Sequence, residues 1–168
     1  MAEDKPSTVA DVVRHVQQQF SRIYLGGIPA LLNDQGAYLS FIVIMAGTEG
    51  LARFYRPKAG NGERFKEFVR RFYPEPLAAD AEKLWELRNS LTHAFSSGPY
   101  ALTHHRADLH WSLANGLHIL NAENMYAALL AATEQYFNSL LTDTAMQASF
   151  VEAASDAKDG ILIVSPIL

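Results

Sequence analysis

Cysteine is missing from all 168 residues, which excludes disulfides, thiol nucleophiles and cysteine-ligated zinc or iron–sulfur centres. Long apolar runs are missing as well. The longest, FIVIMAG at Phe41–Gly47, falls far short of the roughly 20 residues that span a bilayer. The opening MAEDKPST has no basic region followed by an apolar one, so neither a secretory signal nor a membrane span is expected and a cytoplasmic location fits. GTEG at Gly47–Gly50 and GNGERF at Gly60–Phe65 have the glycines of a phosphate loop, but no Walker lysine follows them and no strand precedes them. They are expected to be helix-packing and turn residues.

Material for a core is plentiful. Hydrophobic residues make up 49% of the chain, with nine Phe, seven Tyr and two Trp, enough for one domain that buries roughly two thirds of its unfolded surface. A single domain over residues 1–168 is expected.

Periodicity along the chain is mostly helical. Thr8 and Asp11 have the spacing of a capping box, and apolar residues then recur at Val9, Val12, Val13, Val16, Phe20, Ile23 and Tyr24, predicting a helix over 9–25 that stops at Gly26 and Gly27. IPALLNDQG is a connector with room for one helical turn. Residues 37–55 are apolar nearly all round, as befits a helix at the centre of a bundle, and Pro57, Gly60 and Gly62 close it. ERFKEFVRRFY is a short amphipathic helix with Phe65, Phe68, Val69 and Phe72 on one side. Pro76 suits a first helical turn, predicting the next helix over 77–95, ended by SSGP.

From Tyr100 to Asn121 the apolar residues alternate instead of cycling, and Asn115-Gly116 marks a tight hairpin turn. A small antiparallel ribbon is predicted, its later strands over 109–113 and 117–120. Asn121 then looks like the cap of a long helix with Met125, Leu129, Ala132, Tyr136 and Leu140 on its apolar face, flanked by Tyr126, Leu130, Phe137 and Leu141. A last helix over 144–158 and an apolar tail, GILIVSPIL, complete the chain. The fold class is therefore all-α, a bundle of five to six helices with a small β-hairpin insertion at 100–121.

The net charge of −4 conceals a local reversal. Between Arg53 and Arg71, seven basic residues (Arg53, Arg56, Lys58, Arg64, Lys66, Arg70 and Arg71) face only Glu63 and Glu67, a local balance of +5 that leaves −9 for the remainder. Such a segment is either a solvated loop and helix face or a surface for an anionic partner such as RNA.

The polar residues of LWELRNSLTHAF, Leu84–Phe95, are the main candidates for a site. On a helical wheel Leu84, Leu87, Leu91 and Phe95 form the apolar stripe, Arg88 falls about 40° from Leu84, and Asn89 and His93 share a face more than about 100° away. The three diverge, so they act together only if the arginine reaches around or a second copy of the chain brings its own set. Their chemistry is coherent. Imidazole exchanges protons near neutral pH, guanidinium holds phosphate oxygens through paired bonds, and an amide orients a hydroxyl or the imidazole. With no carboxylate pair beside them, metal-free phosphodiester cleavage is the reaction they suit. A bland alternative stands beside it: Arg88 ties helices together through buried carbonyls or a glutamate such as Glu49, and His93 complements a helix C-terminus.

LRNSLTHAF, with its RNxxxH core at Arg88–His93, resembles the RxxxxH motif of the HEPN superfamily of helical domains. The order of apolar helices before the motif and a long helix after it is also similar. The resemblance implies a homodimer in which two motifs meet and cut RNA without a metal or other cofactor, by attack of the ribose 2′-hydroxyl. Arg88 would stabilise the phosphate, Asn89 would be the polar residue that follows it, and His93 would transfer protons. It also implies a toxin or defence role, with a nucleotidyltransferase-like antitoxin as a possible partner; other members are non-catalytic dimerisation or ligand-binding modules. The hairpin and the apolar tail depart from the minimal pattern.

His104, His105, His110 and His118 crowd the predicted hairpin. Adjacent strand residues point to opposite faces, and the only carboxylate nearby in sequence is Asp108, so no metal site is expected and surface roles are assigned.

Overall fold

The computed structural model describes residues 8–156. The apolar tail and the last two residues of the predicted final helix lie outside them. Among the described residues there are six α-helices and a three-stranded sheet: α1 Val9–Phe20, α2 Ala37–Tyr55, α3 Asn61–Phe72, α4 Ala81–His93, β1 Tyr100–Thr103, β2 Leu113–Ala114, β3 Leu117–Asn121, α5 Ala122–Leu140 and α6 Thr144–Asp156. This is a helical bundle with a β insertion.

Thr8 caps α1, its hydroxyl accepting the Asp11 N–H at 3.2 Å. Past Phe20 the helix widens into one π turn, Ser21–Leu25, closed by Gly26 N–H donating to Ser21 O at 2.8 Å. The connector contributes the expected turn at Ile28–Leu31. α2 is long and apolar enough to cross a membrane by length and composition, with mean hydropathy 1.2. Here it lies at the bundle centre against α3, α4, α5 and α6, burying Phe41, Ile44, Met45, Leu51 and Tyr55. An apolar helix that touches four others places its hydrophobic surface in protein instead of water, which is the main stabilising term here.

Gly47 lets the π turn after α1 approach α2: a Cβ added there would stand 3.2 Å from the Tyr24 ring. Tyr55, Phe68, Phe72 and Tyr136 pack edge to face at the meeting of α2, α3 and α5. Beside them the Thr48 hydroxyl donates to Ile44 O and lies 2.6 Å from the Tyr73 hydroxyl, and burial holds the Tyr73 pKa well above its ordinary value.

Three expectations need correction. The helix that carries the motif runs over Ala81–His93, not 77–95. Pro76 belongs to a run of turns in which Glu75 Oε2 accepts the Ala79 N–H at 3.2 Å, and the helix begins only when Leu84 N–H reaches Asp80 O at 3.0 Å. The ribbon is a mixed sheet of order β1-β3-β2 in which β1 runs parallel to β3, Tyr100 opposite His118 and Thr103 opposite Asn121. Leu109 ends a short 3-10 turn, Ala107–Leu109, so the antiparallel part shrinks to Leu113–Ala114 against β3. Its turn is as expected, with Asn115 at φ 50° and Gly116 at φ 78°. Asn121 sits at the N-cap of α5 without capping it. Its amide instead accepts the Arg106 N–H at 3.0 Å and donates to Asn124 at 2.6 Å, tying the loop after β1 to the helix.

Candidate functional site

The motif occupies the last two turns of α4. Leu84, Leu87 and Leu91 are buried as the stripe requires, whereas Phe95 has left the helix at φ 47° and is 87% exposed, its ring against Tyr38 at 5.2 Å. The end of the helix is held down from α2, whose Tyr38 hydroxyl donates to Leu91 O at 3.2 Å.

Arg88, Asn89 and His93 are not left divergent. The arginine reaches around the helix and divides its fork. Nε and Nη2 donate to Glu49 Oε2 on α2 at 2.9 and 2.7 Å, while Nη1 donates to Asn89 Oδ1 at 3.1 Å and lies 3.4 Å from His93 Nε2. Glu49, the glutamate named as a possible tether, is thus the partner. The pair is half-buried, with side chains 22% and 17% exposed, and the guanidinium carbon stands over the Trp85 ring at 5.3 Å. Trp85 in turn rests on Phe65 and against Gly62 of α3, where an added Cβ would meet the indole at 3.0 Å. Glycine at 62 is therefore a packing residue beside the motif, and α3 lies along it.

Arginine only donates, so its contact with His93 requires a lone pair on Nε2 and places the imidazole proton on Nδ1. His93 itself is exposed at the last position of the helix. One chain therefore offers one accessible imidazole with its Nε2 lone pair toward a fixed guanidinium, and an amide beside them.

Five of the seven basic residues of the 53–71 segment are engaged by acids. Arg56 pairs with Glu67 at 3.2 Å, Lys58 with Glu152 at 3.2 Å, Lys66 and Arg70 both with Glu82 at 3.1 and 2.6 Å, and Arg71 with Asp143 at 3.4 Å. Hydrogen bonds from Lys66, then from Arg70, hold the Glu82 carboxyl below its ordinary pKa. Arg71 is raised, first by its bond to the Tyr55 hydroxyl. Arg64 donates to Asn61, and Arg53 is exposed with no polar partner among the described residues. The sequence separation of these acids hid them: Glu82, Asp143 and Glu152 come from α4, the α5–α6 turn and α6.

A second polar cluster overturns an expectation. His104 and His105 do not alternate across a strand, because β1 ends at Thr103 and His105 takes φ 53°; their rings lie 4.8 Å apart. Asp108 is taken by Arg106, which donates to both of its oxygens at 3.0 and 2.9 Å. The carboxylate that meets both histidines is Glu123, in the first turn of α5, and the ligand atoms of His104, His105 and Glu123 all lie within 4.8 Å of one another. Burial works against the Glu123 charge, but its own N–H, that of His105 and the nearby imidazole together keep its pKa below the ordinary value. His110 and His118 take other roles: His110 Nδ1 accepts the Asn121 N–H at 3.1 Å, and His118 stacks on Trp111 at 4.5 Å. The signal that was missed is Glu123, two residues past the predicted cap and 18 residues from His105 in sequence.

Scans against protein-family models, curated proteins and solved structures find no match to this chain.

Proposed function

We propose that this chain is a HEPN-like, metal-independent endoribonuclease that acts as a homodimer through Arg88, Asn89 and His93. The observation that supports this reading is the convergence of the three side chains: Arg88 Nη1 within 3.1 Å of Asn89 and 3.4 Å of an exposed His93. Cleavage through the ribose 2′-hydroxyl needs one group to remove the hydroxyl proton, another to protonate the departing 5′-oxygen, and a cation for the charge that builds on the phosphate between them. His93 removes the proton, the 2′-oxygen bonds to phosphorus, and the phosphorus to 5′-oxygen bond breaks. The partner subunit's His93 supplies the leaving-group proton, which is why a second copy is required. Arg88 Nη1 swings from His93 to the phosphate while Glu49 keeps the rest of the fork in place, and Asn89 orients the hydroxyl. The solvent-facing cations of 53–71 supply attraction for the RNA backbone once their surface pairs exchange, since such pairs are weak. A toxin or defence role, with a nucleotidyltransferase-like antitoxin, follows from the same resemblance.

Purified protein incubated with structured and single-stranded RNA in excess EDTA is expected to cut, leaving 2′,3′-cyclic phosphate and 5′-hydroxyl ends. His93→Ala loses at least about 100-fold in rate, the low end for a proton-transfer group. Equal cleavage by wild type and variant would sink the proposal.

A second reading is favoured by the Arg88–Glu49 pair itself, which spends two of the arginine's donors on joining α2 to α4. On that reading the chain is a non-catalytic HEPN-like module for dimerisation or for binding a ligand or partner. Glu49→Ala and Arg88→Ala then each cost about 1–3 kcal/mol by stranding a half-buried charge, with no RNA chemistry in the wild type. Light scattering that gives a monomer at micromolar concentration removes the first reading and the dimerisation form of the second.

A further inference from the structure

We infer that His104, His105 and Glu123 form a binding site for a first-row divalent cation of the zinc type, independent of the RNA reading. His104 Nδ1 is buried and has no hydrogen-bond partner, which is uncommon for a polar atom withdrawn from water. The other ring nitrogen, Nε2, lies 3.3 Å from Asp34 Oδ1. Asp34 stands at ion-pair distance from Nε2, so Nδ1 is the ring nitrogen left without a partner. A carboxylate beside the far nitrogen of an imidazole favours the proton there and a free lone pair on the near nitrogen, the form in which histidine binds a metal.

The same ring offers a ligand nitrogen within 4.8 Å of donor atoms of His105 and Glu123. The left-handed turn at His105 brings the second imidazole beside the first instead of across the strand. Glu123 anchors the turn by accepting the His105 N–H at 3.1 and 3.0 Å, and its Oε1 lies 2.6 Å from His105 Nδ1. An imidazole nitrogen and a carboxylate oxygen that close share a proton; a divalent ion takes its place, and the proton leaves to solvent. Arg106 is pinned to Asn121 through its N–H and to Asp108 through its guanidinium, so the loop is set before any ion arrives. Ligand atoms about 2 Å from a zinc ion stand roughly 3.3 Å apart. The present spread of 4.8 Å closes by small rotations of side chains that sit on a turn and a helix end. Two imidazoles and a carboxylate suit zinc and its neighbours better than magnesium or calcium, which prefer all-oxygen sites. Three protein ligands leave a fourth position for water. Binding there clamps the loop after β1 onto the start of α5.

The full chain, stripped with EDTA and exchanged into chelator-free buffer, is to be titrated calorimetrically with zinc chloride in two buffers of different ionisation enthalpy. One ion per chain is expected, with net proton release. Cobalt substituted for zinc should show visible ligand-field bands of a four- or five-coordinate nitrogen and oxygen site. Glu123→Gln and His104→Gln should each weaken binding by about tenfold or more and erase the bands, whereas His15→Gln, on the exposed face of α1, should leave both unchanged. Melting in EDTA establishes that each variant is folded; if Glu123→Gln is not, His105→Gln, whose ring is largely exposed, replaces it. Absence of zinc binding by the wild type overturns the inference, as does equal affinity in the folded Glu123, His104 or His105 variants.

Discussion

At the scale of single residues, a wheel follows the direction in which a side chain departs and says nothing of where a long one ends. Arg88 departs within the leucine stripe, yet its fork lands on Glu49, Asn89 and His93, because four flexible bonds let a guanidinium avoid the core it starts toward. The candidate site was therefore legible as a set of residues but not as a geometry. Histidine 110 was legible only as one of a crowd. Its Nδ1 accepts the Asn121 backbone N–H, and burial lowers its pKa. A group whose folded pKa lies below its unfolded value of about 6.5 binds fewer protons in the folded chain, so its stability contribution is complete above about pH 6.5 and declines as pH falls. Urea midpoints measured between about pH 7.5 and 5.5 should fall toward the acid side in the wild type. In His110→Gln, which keeps an acceptor but does not titrate, that slope should be shallower. Identical slopes would show that the Asn121 bond does not sense the proton. The lowered carboxyls of Glu123 and Asp143 act in a separate window, below about pH 4.5.

At the scale of elements, what could be read was what is local. The all-round apolarity of 37–55 and the apolar face of the helix after Asn121 return as α2 and α5, and Asn115-Gly116 returns as a two-residue turn, since these signals lie close together in sequence. The parallel pairing of β1 with β3 had no such signal: its partners are 18 residues apart, with a 3-10 turn and β2 between them. Pro76 misled because a proline that suits a first turn suits a tight turn before it equally well. Two glycines make the difference between local and tertiary constraint measurable. Gly116 (φ 78°) has nothing within 4 Å of an added Cβ, whereas Gly98 (φ 55°) would put that Cβ 2.8 Å from Ser90 Oγ on α4. Gly116→Ala is expected to cost about 1 kcal/mol from the left-handed backbone alone. Gly98→Ala should cost about 2 kcal/mol or more, strain and overlap together, as read from urea unfolding. Equal costs would mean that Ser90 turns aside freely and that the loop from α4 to β1 is not fixed by this contact.

At the scale of the whole molecule, the segment 53–71 is where composition misleads most. Its local +5 is a property of the chain, while the potential a partner meets is a property of the fold, and the fold brings Glu82, Asp143 and Glu152 to the basic side chains. Exposed pairs of this kind contribute little to stability, but each removes a cation from any phosphate contact it would otherwise make. Glu82 matters most, since it alone occupies both Lys66 and Arg70 on α3, the helix that lies beside Trp85 and Arg88. Glu82→Ala should therefore leave the melting temperature nearly unchanged and free two adjacent cations. Elution from heparin should move to higher salt, and single-stranded RNA binding should become steeper in salt, by up to about 1.4 in the slope of log K against log salt for two added phosphate contacts. Co-elution with the wild type and an unchanged slope would mean that α3 does not face a polyanion, and the RNA path to His93 would have to be sought on another side of α4.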